Sequence, residues 1–295
     1  MPEGVGSARR ATLRIATRSS AQARTQAEVV AAAIGAENVG VATELIFVDT
    51  VGDQHQDVPL HTIGGQGVFV KEVQRAVLDG RADIAVHSAK DLPSAPADGL
   101  TIGAFTARRD ARDALVGSSL DGLALGATVA SGSVRRRAQL HALRPDLRFV
   151  ELRGNIQTRL TKVPTQGAIV MAVAALDILE LRDRIAEIID VDAMVPAVGQ
   201  GCVAIEHRTD DLVTGAIVGA VDHAPTRRAV EAERAFLAEL GTGCSLPIGA
   251  HVVDGQLIAF LADDRRALQT TVRLGHDWIV DAAATARSLQ AELQP

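Results

Sequence analysis

The sequence predicts an α/β protein of more than one domain: parallel sheets with crossover helices over its first two-thirds, then a small α+β domain. Three observations carry this. The chain has 295 residues, too many for one ordinary core. Short apolar runs alternate with helix-length amphipathic segments. From Thr226 onward the pattern changes to one helix, three consecutive strand-like runs and a closing helix.

Leu13–Thr17 reads as the first strand, with a helical pattern running on to about Ile34. Glu44–Asp49 reads as the next strand. Asp49 to Gly67 is polar, contains glycine and has no periodicity; a loop of that length inside a compact domain is usually functional, here a lid. Within it, Gly64-Gly65-Gln66-Gly67 lacks the spacing of a phosphate-binding loop and reads as a hinge at the lid base. Phe69–Leu78 predicts a helix and Ile84–His87 a buried strand. Thr128–Ser131, Arg148–Leu152 and Ile169–Ala172 repeat the theme, each followed by a helical segment. Ile15-Ala16-Thr17-Arg18-Ser19-Ser20 is echoed by Val129-Ala130-Ser131-Gly132-Ser133: strand, small hydroxyl residues, helix start. Two similar lobes would produce that echo, and so would chance.

In the final segment, Thr226–Leu240 predicts a helix with Val230, Leu237 and Leu240 on one face. Ile248–Val253, Gln256–Ala262 and Ala267–Leu274 predict a three-stranded meander, with Asp254-Gly255 as a two-residue hairpin turn. Asp277–Leu293 closes the chain as a helix.

Composition narrows the function. A hydrophobic fraction of 47% with 22% charged residues suits a soluble globular protein. Aromatic residues make up 2% and tyrosine is absent, so the cores are built from Val, Ile, Leu and Ala, and the stacking platforms of single-stranded nucleic-acid binders are missing. A net charge of -6 gives no global attraction to nucleic acid or to an anionic membrane. No apolar run reaches the length of a membrane span, and Met1–Arg10 has no apolar core of a signal peptide. The two cysteines, Cys202 and Cys244, read as reduced cytoplasmic thiols rather than a disulfide. No metal site is expected.

In open α/β sheets, ligands bind beyond the carboxyl ends of strands, where helix N-termini present free N–H groups. Polar clusters fall at those places: Arg18-Ser19-Ser20, Ser88-Ala89-Lys90-Asp91, Ser131-Gly132-Ser133 with Arg135-Arg136-Arg137, and Arg153-Gly154-Asn155 with Arg159 one turn on. Between Ser131 and Lys162 eight basic residues face only Asp146 and Glu151, a local excess of positive charge inside an acidic chain. Arg137, Arg144 and Arg148 read as a solvated helix face. Arg135, Arg136, Arg153 and Arg159 sit at strand ends and read as anion contacts, since a guanidinium grips a carboxylate through two parallel charge-assisted bonds. The pattern suggests a cleft for a polyanionic small molecule. His87 reads as a buried strand histidine and Cys202 as core. Cys244 lies in Gly241-Thr242-Gly243-Cys244-Ser245, a loop just after a helix, where a thiol can be reached.

Leu13-Arg14-Ile15-Ala16-Thr17-Arg18, Val86-His87-Ser88-Ala89-Lys90-Asp91-Leu92-Pro93, Leu152-Arg153-Gly154-Asn155, Pro196-Ala197-Val198-Gly199-Gln200-Gly201 and Gly243-Cys244-Ser245-Leu246-Pro247-Ile248-Gly249 resemble, in this order, the hydroxymethylbilane synthase (porphobilinogen deaminase) family. The resemblance runs from about residue 12 to 260. It implies two doubly wound lobes like those of type II periplasmic binding proteins, residues 10–106 with 202–222 and residues 107–201, followed by a small α+β domain, 223–295. It implies a transferase that joins four porphobilinogen molecules into a linear tetrapyrrole in haem biosynthesis, primed by a dipyrromethane attached to Cys244 through a thioether. Asp91 corresponds to the catalytic carboxylate. Lys90, Asp91, Ser133, Arg135 and Arg136 correspond to cofactor contacts, and Arg18, Ser20, Arg153, Arg159 and Gln200 to substrate contacts. The chain is expected to work as a cytoplasmic monomer on this small-molecule substrate, without nucleic acid or membrane.

Some positions depart from the family pattern. Gln66 stands where a Lys or another residue is found, Ala21-Gln22 replaces a more usual Pro-Leu or Leu-Leu pair, and Gly132 a frequent Ser. Ile178, in Ala175-Leu176-Asp177-Ile178-Leu179, occupies a position where an Arg commonly meets substrate carboxylate, with Arg182 nearby as a substitute. The preceding Val163-Pro164-Thr165-Gln166-Gly167 is short. Two rival readings follow from the residues: a two-lobed solute-binding protein, and a non-catalytic binder of linear tetrapyrroles. A Rossmann oxidoreductase lacks its Gly-x-Gly-x-x-Gly after the first strand.

Overall fold

The computed structural model describes residues 12–50, 70–241 and 246–293. The first sheet has the order β2–β1–β3–β10–β4 and is built from β1 (Thr12–Arg18), β2 (Ala42–Val48), β3 (Ile84–Ser88), β4 (Leu100–Phe105) and β10 (Val203–Arg208). Helix α1 (Ala21–Glu37) and helix α2 (Lys71–Leu78) cover opposite faces of it. Alternation along β1 requires this. Leu13 and Ile15 pack on Ala27, Val30 and Ile34 of α1, while Ala16 points the other way, to Val73, Ala76 and Val77 of α2.

The second sheet, β7–β6–β8–β5–β9, repeats the plan with β5 (Asp113–Val116), β6 (Thr128–Ala130), β7 (Arg148–Val150), β8 (Ala168–Ala172) and β9 (Glu187–Ile189). Helices α3 (Val134–Leu143), α4 (Ile156–Leu160) and α5 (Val173–Asp177) connect its strands. Ala114 and Val116 belong to one core and Leu115 between them to the other, so β5 is buried on both faces. An apolar run without alternation is what such a strand looks like in sequence.

Both sheets are mixed rather than wholly parallel. β1 runs parallel to β2 and β3, but β10 is antiparallel to β3 and β4. In the second sheet β6 is parallel to β7 and β8, whereas β5 is antiparallel to β8 and β9. The reversed strands are those by which the chain enters the second sheet and returns to the first. The two crossovers lie side by side: Arg109 N donates to Gly201 O at 2.8 Å and Thr106 N to Val203 O at 3.0 Å. Gly201 has φ +83°, and a Cβ there would stand 2.6 Å from Arg109 O, so this close approach needs glycine.

After α6 (Leu212–Gly219), the third unit contains α7 (Ala224–Glu239), the meander β11 (Ile248–Val253), β12 (Gln256–Ala262) and β13 (Ala267–Arg273), and α8 (Trp278–Leu293). The β11–β12 turn has Asp254 at φ 50° and Gly255 at φ 70°, the two left-handed positions that Asp-Gly predicts. One sheet face packs on Ala232, Phe236 and Leu240 of α7 and on α8. The other, through Ile258, Phe260 and Ala262, packs on Val195 and reaches Val191 and Ala138 of the second lobe. Val230 of α7 points elsewhere, into the first lobe with Cys202 and Phe105.

Where the three units meet, Glu233 is fully buried. Its carboxylate accepts from Arg108 Nη1 at 2.6 Å and Nη2 at 2.7 Å, from Gly199 N at 2.8 Å and from Val252 N at 2.8 Å. Arg108 lies in the first crossover, Gly199 in the second and Val252 on β11, so one side chain ties three segments.

Candidate active site

The site lies between the two lobes, and strand ends position it. β1 delivers Arg18, and Ser20 caps α1 by accepting from Ala23 N at 3.4 Å. A serine used this way keeps its O–H for a ligand. β3 leads into a single 3-10 turn, Ala89–Asp91, pinned by Ala89 N donating to Cys202 O at 2.9 Å. In the second lobe Ser133 caps α3, accepting from Arg136 N at 3.4 Å, and puts Arg135 and Arg136 on the first turn. Asn155 caps α4, with Arg159 at its far end donating from Nε to Gly154 O at 2.7 Å.

These walls enclose a cavity of about 300 Å³. Arg18, Ser20, Lys90, Asp91, Ser133, Arg135, Arg136, Arg153, Arg159 and Gln200 all line it. Every site residue expected from the sequence therefore converges on one cleft, except Cys244, which lies outside the described residues, as do Gln66 and the lid from residue 51 onward. Gln22, noted in the sequence only as a departure from the family pattern, and Gln157, which carries no charge and sits in no recognisable motif, also line the cleft.

Among the described residues, cations outnumber anions in the cleft lining. Burial, and then the charge of Arg136, pushes the Lys90 ammonium down to about 8. Burial, Arg136 and Arg153 push Arg159 down to about 10. Burial also lowers Arg153. Cations that depress one another this way favour binding a carboxylate, which relieves both the desolvation and the repulsion.

Part of the positive charge is met from within. Asp113, wholly buried at the start of β5, accepts from Arg135 Nη2 at 2.7 Å and from Arg136 Nη2 at 2.7 Å. Burial alone would raise this carboxyl, but Arg135 and Arg136 hold it well below the usual carboxylate range. Gln200, only 1% exposed, donates its side-chain N–H groups to Ala111 O at 2.7 Å and Asp113 Oδ1 at 2.9 Å. Its Oε1 accepts from Lys90 Nζ at 3.3 Å. Gln200, expected as a substrate contact, lines the cleft and has both N–H groups committed to protein.

The remaining expectations fall as follows. Cys202 is buried, donates weakly to Thr106 O and Val203 O, and has its thiol pushed up to about 12, chiefly by burial. His87 is buried with Nε2 3.1 Å from Glu206 Oε2, and Gln74 donates to the same carboxylate. Arg137 is paired with Glu151 and Arg144 with Asp146, outside the cleft. Ile178 ends α5 and is 9% exposed; Ala175, one turn earlier, lines the cleft, and Ile178 does not. Arg182 does not take the place of a cleft arginine, since it is held on Asp177 at 2.8 Å. Among the described residues no group of His, Cys, Asp and Glu is arranged to hold a metal ion, and no helix is long and apolar enough to cross a membrane.

Comparison with known proteins gives consistent matches. The family model described as "Porphobilinogen deaminase, dipyromethane cofactor binding domain" matches residues 13–215, and "Porphobilinogen deaminase, C-terminal domain" matches residues 227–286. The chain is 47% identical over 245 residues to a porphobilinogen deaminase of Nitratidesulfovibrio vulgaris, covering 81% of this chain and 77% of that one. It is 42% identical over 293 residues to one of Acidithiobacillus ferrooxidans, covering 95% of each. Among solved structures, the methionine-binding protein MetQ aligns with a TM-score of 0.47 at 15% identity, over 73% of this chain and 92% of that one, a likeness too loose to carry an argument.

Proposed function

This chain belongs to the porphobilinogen deaminase family, and from that premise we propose how its own residues carry the reaction. The activity is that of a transferase in tetrapyrrole biosynthesis: four porphobilinogen molecules are joined head to tail into hydroxymethylbilane with release of ammonia, on a dipyrromethane cofactor. The solute-binding and non-catalytic readings are thereby set aside.

The cleft chemistry fits the cofactor. Two pyrrole rings, each with an acetate and a propionate, carry four carboxylates, and the cavity walls offer Lys90, Arg135, Arg136, Arg153 and Arg159 to meet them. Lys90, Ser133, Arg135 and Arg136 would hold it, tethered through Cys244. When bound, it supplies the pyrrole α-carbon onto which the chain is built.

Asp91 is the catalytic acid in this reading. Its carboxyl donates a proton to the departing amine of porphobilinogen. Once ionised it accepts pyrrole N–H bonds and stabilises the positive charge left on the substrate ring. Arg18, Arg153, Arg159 and Ser20 grip the substrate carboxylates and so orient its aminomethyl carbon. Gln200, which lines the same cleft, is a substrate contact in this reading and also accepts from Lys90. The domain division at 107, 202 and 223 is supported by sheet membership, because β10 rejoins the first sheet after the second is complete. We propose that the chain acts as a monomer. A reducing compartment such as the cytoplasm suits a cysteine that must be a free thiol when it is loaded.

The observation that carries this reading is the convergence of Asp91 with cations of both lobes on one cavity. Asp91→Asn keeps the shape and removes the proton. It should lower the rate of ammonia release from porphobilinogen about a hundredfold or more. Release within about tenfold of the unaltered enzyme would take the acid role from Asp91.

A further inference from the structure

We propose that Asp113 is a positioning residue for the cleft, setting Arg135 and Arg136 as a pair in one lobe and, through Gln200, the ammonium of Lys90 in the other. This rests on the reading of the cleft given above. Arg135 and Arg136 are consecutive on the first turn of α3, so their guanidiniums emerge close together in a buried wall. Two such cations repel and would splay. Asp113 takes one on each oxygen: Arg135 Nη2 reaches Oδ2 at 2.7 Å, and Arg136 reaches Oδ1 through Nη2 at 2.7 Å and Nε at 3.1 Å. Backbone carbonyls complete the seating, Val195 O for Arg135 Nη1 at 2.6 Å and Val170 O for Arg136 Nη1 at 3.0 Å. The pair is thus rigid and keeps one net positive charge for a ligand.

The link to the other lobe depends on which way the Gln200 amide faces. A carboxylate and a carbonyl can only accept, so Asp113 Oδ1 and Ala111 O require the Gln200 NH₂ on their side. The amide oxygen must then face Lys90, 3.3 Å away. A flipped amide would set oxygen against oxygen at both contacts and present N–H groups to an ammonium. The carboxylate of Asp113 thereby fixes cation positions on both walls. In Asp113→Asn an amide replaces it: one oxygen accepts, the other position donates toward an arginine or toward Gln200, and the Gln200 amide is released to turn.

The test uses the full-length chain made in cells that synthesise porphyrins. Asp113→Asn and Asp113→Glu are compared with the unaltered protein by intact mass, thermal melting, and KM and kcat for porphobilinogen. In folded Asp113→Asn the fraction carrying the two-ring increment should fall about tenfold; in the molecules still loaded, KM should rise about tenfold with kcat changed far less. Asp113→Glu, which keeps the charge, should restore loading. A folded Asp113→Asn with unchanged loading and KM overturns the proposal, even if its melting temperature falls, since that is the result of a purely structural role. Should Asp113→Asn not fold, Gln200→Leu carries the test. It keeps the arginine pair on Asp113 and removes the amide that joins Asp113 and Ala111 O to Lys90; a raised KM supports the relay, and an unchanged KM overturns it. If the unaltered chain itself carries no increment, the reading of the cleft fails instead, which distinguishes the two failures.

Discussion

At the three-way joint, Glu233 receives one guanidinium, that of Arg108, on both oxygens together with two backbone N–H groups, and His251 stands 3.5 Å away. In the cleft, Asp113 receives two guanidiniums, and Lys90, Arg153 and Arg159 stand beyond them, all with lowered proton affinity. Both regions bury charge. At the joint one buried carboxylate meets one buried guanidinium, and the contacts hold protein to protein. Among the described residues the cleft lining carries more cations than anions, and that excess distinguishes a wall built to receive an anionic ligand from a clamp. Buried arginine alone would not separate them.

Substitutions should therefore act on different observables in the two regions. The largest effect is expected from Glu233→Ala, which strands Arg108 and two backbone N–H groups. Breaking a buried pair from one side costs about 3–5 kcal/mol, read as a lower midpoint in denaturant, while any molecules that remain folded keep their KM. Next are Arg153→Leu and Arg159→Leu. Each removes a charge-assisted contact of about 1.5–3 kcal/mol and should raise KM about ten- to a hundredfold. Their denaturant midpoints should stay near that of the unaltered chain. A stability loss without a KM change would merge the two regions and remove the distinction.

Acid and base separate the regions further. Lys90 is charged below about 8 and neutral above it. Its grip on a carboxylate is complete below that value and is lost as pH rises through it, so KM should climb on the alkaline side. Burial would raise the Glu233 carboxyl, but Arg108 and His251 hold it at about 2 against an ordinary 4.5. Its contribution to stability is thus full above 4.5 and falls away as pH drops from there toward 2. A KM profile flat through pH 8 in a protein still folded would contradict the role given to Lys90. The smallest effect is expected from Ile178→Arg. Ile178 ends the short helix whose Ala175 lines the cleft, and a longer cationic side chain can extend past that alanine. KM should fall a few-fold, and no change would mean that the cleft arginines already meet every substrate carboxylate.

Much of this was legible in the sequence, for reasons that differ by element. The C-terminal meander was readable almost to the residue because Asp254-Gly255 demands a two-residue turn and fixes the register on either side of it. Most cleft residues were readable because they follow strand ends that lead into helices; Arg159, at the far end of α4, and Gln200, in the second crossover, are exceptions. The strands β4, β5, β9 and β10 were not readable. Asp113–Val116 is four residues long and buried throughout, so it shows no alternation, and β10 is buried over Val203–His207. Missing β5 concealed Asp113. Its neighbour Arg112 pairs with Asp110, whereas Asp113 meets arginines 22 and 23 positions away. The mixed direction of both sheets was hidden for the same reason, since it resides in β5 and β10.

In the proposed reading this cleft works on a dipyrromethane carried by Cys244, and intact mass tests that most directly. Protein from porphyrin-synthesising cells should be heavier than its sequence by two porphobilinogen units less two ammonias. Cys202→Ala should keep that increment, because Cys202 is buried with its thiol pushed up to about 12, and Cys244→Ala should lose it. An unmodified mass for the unaltered chain, or an increment that survives Cys244→Ala, would contradict the account.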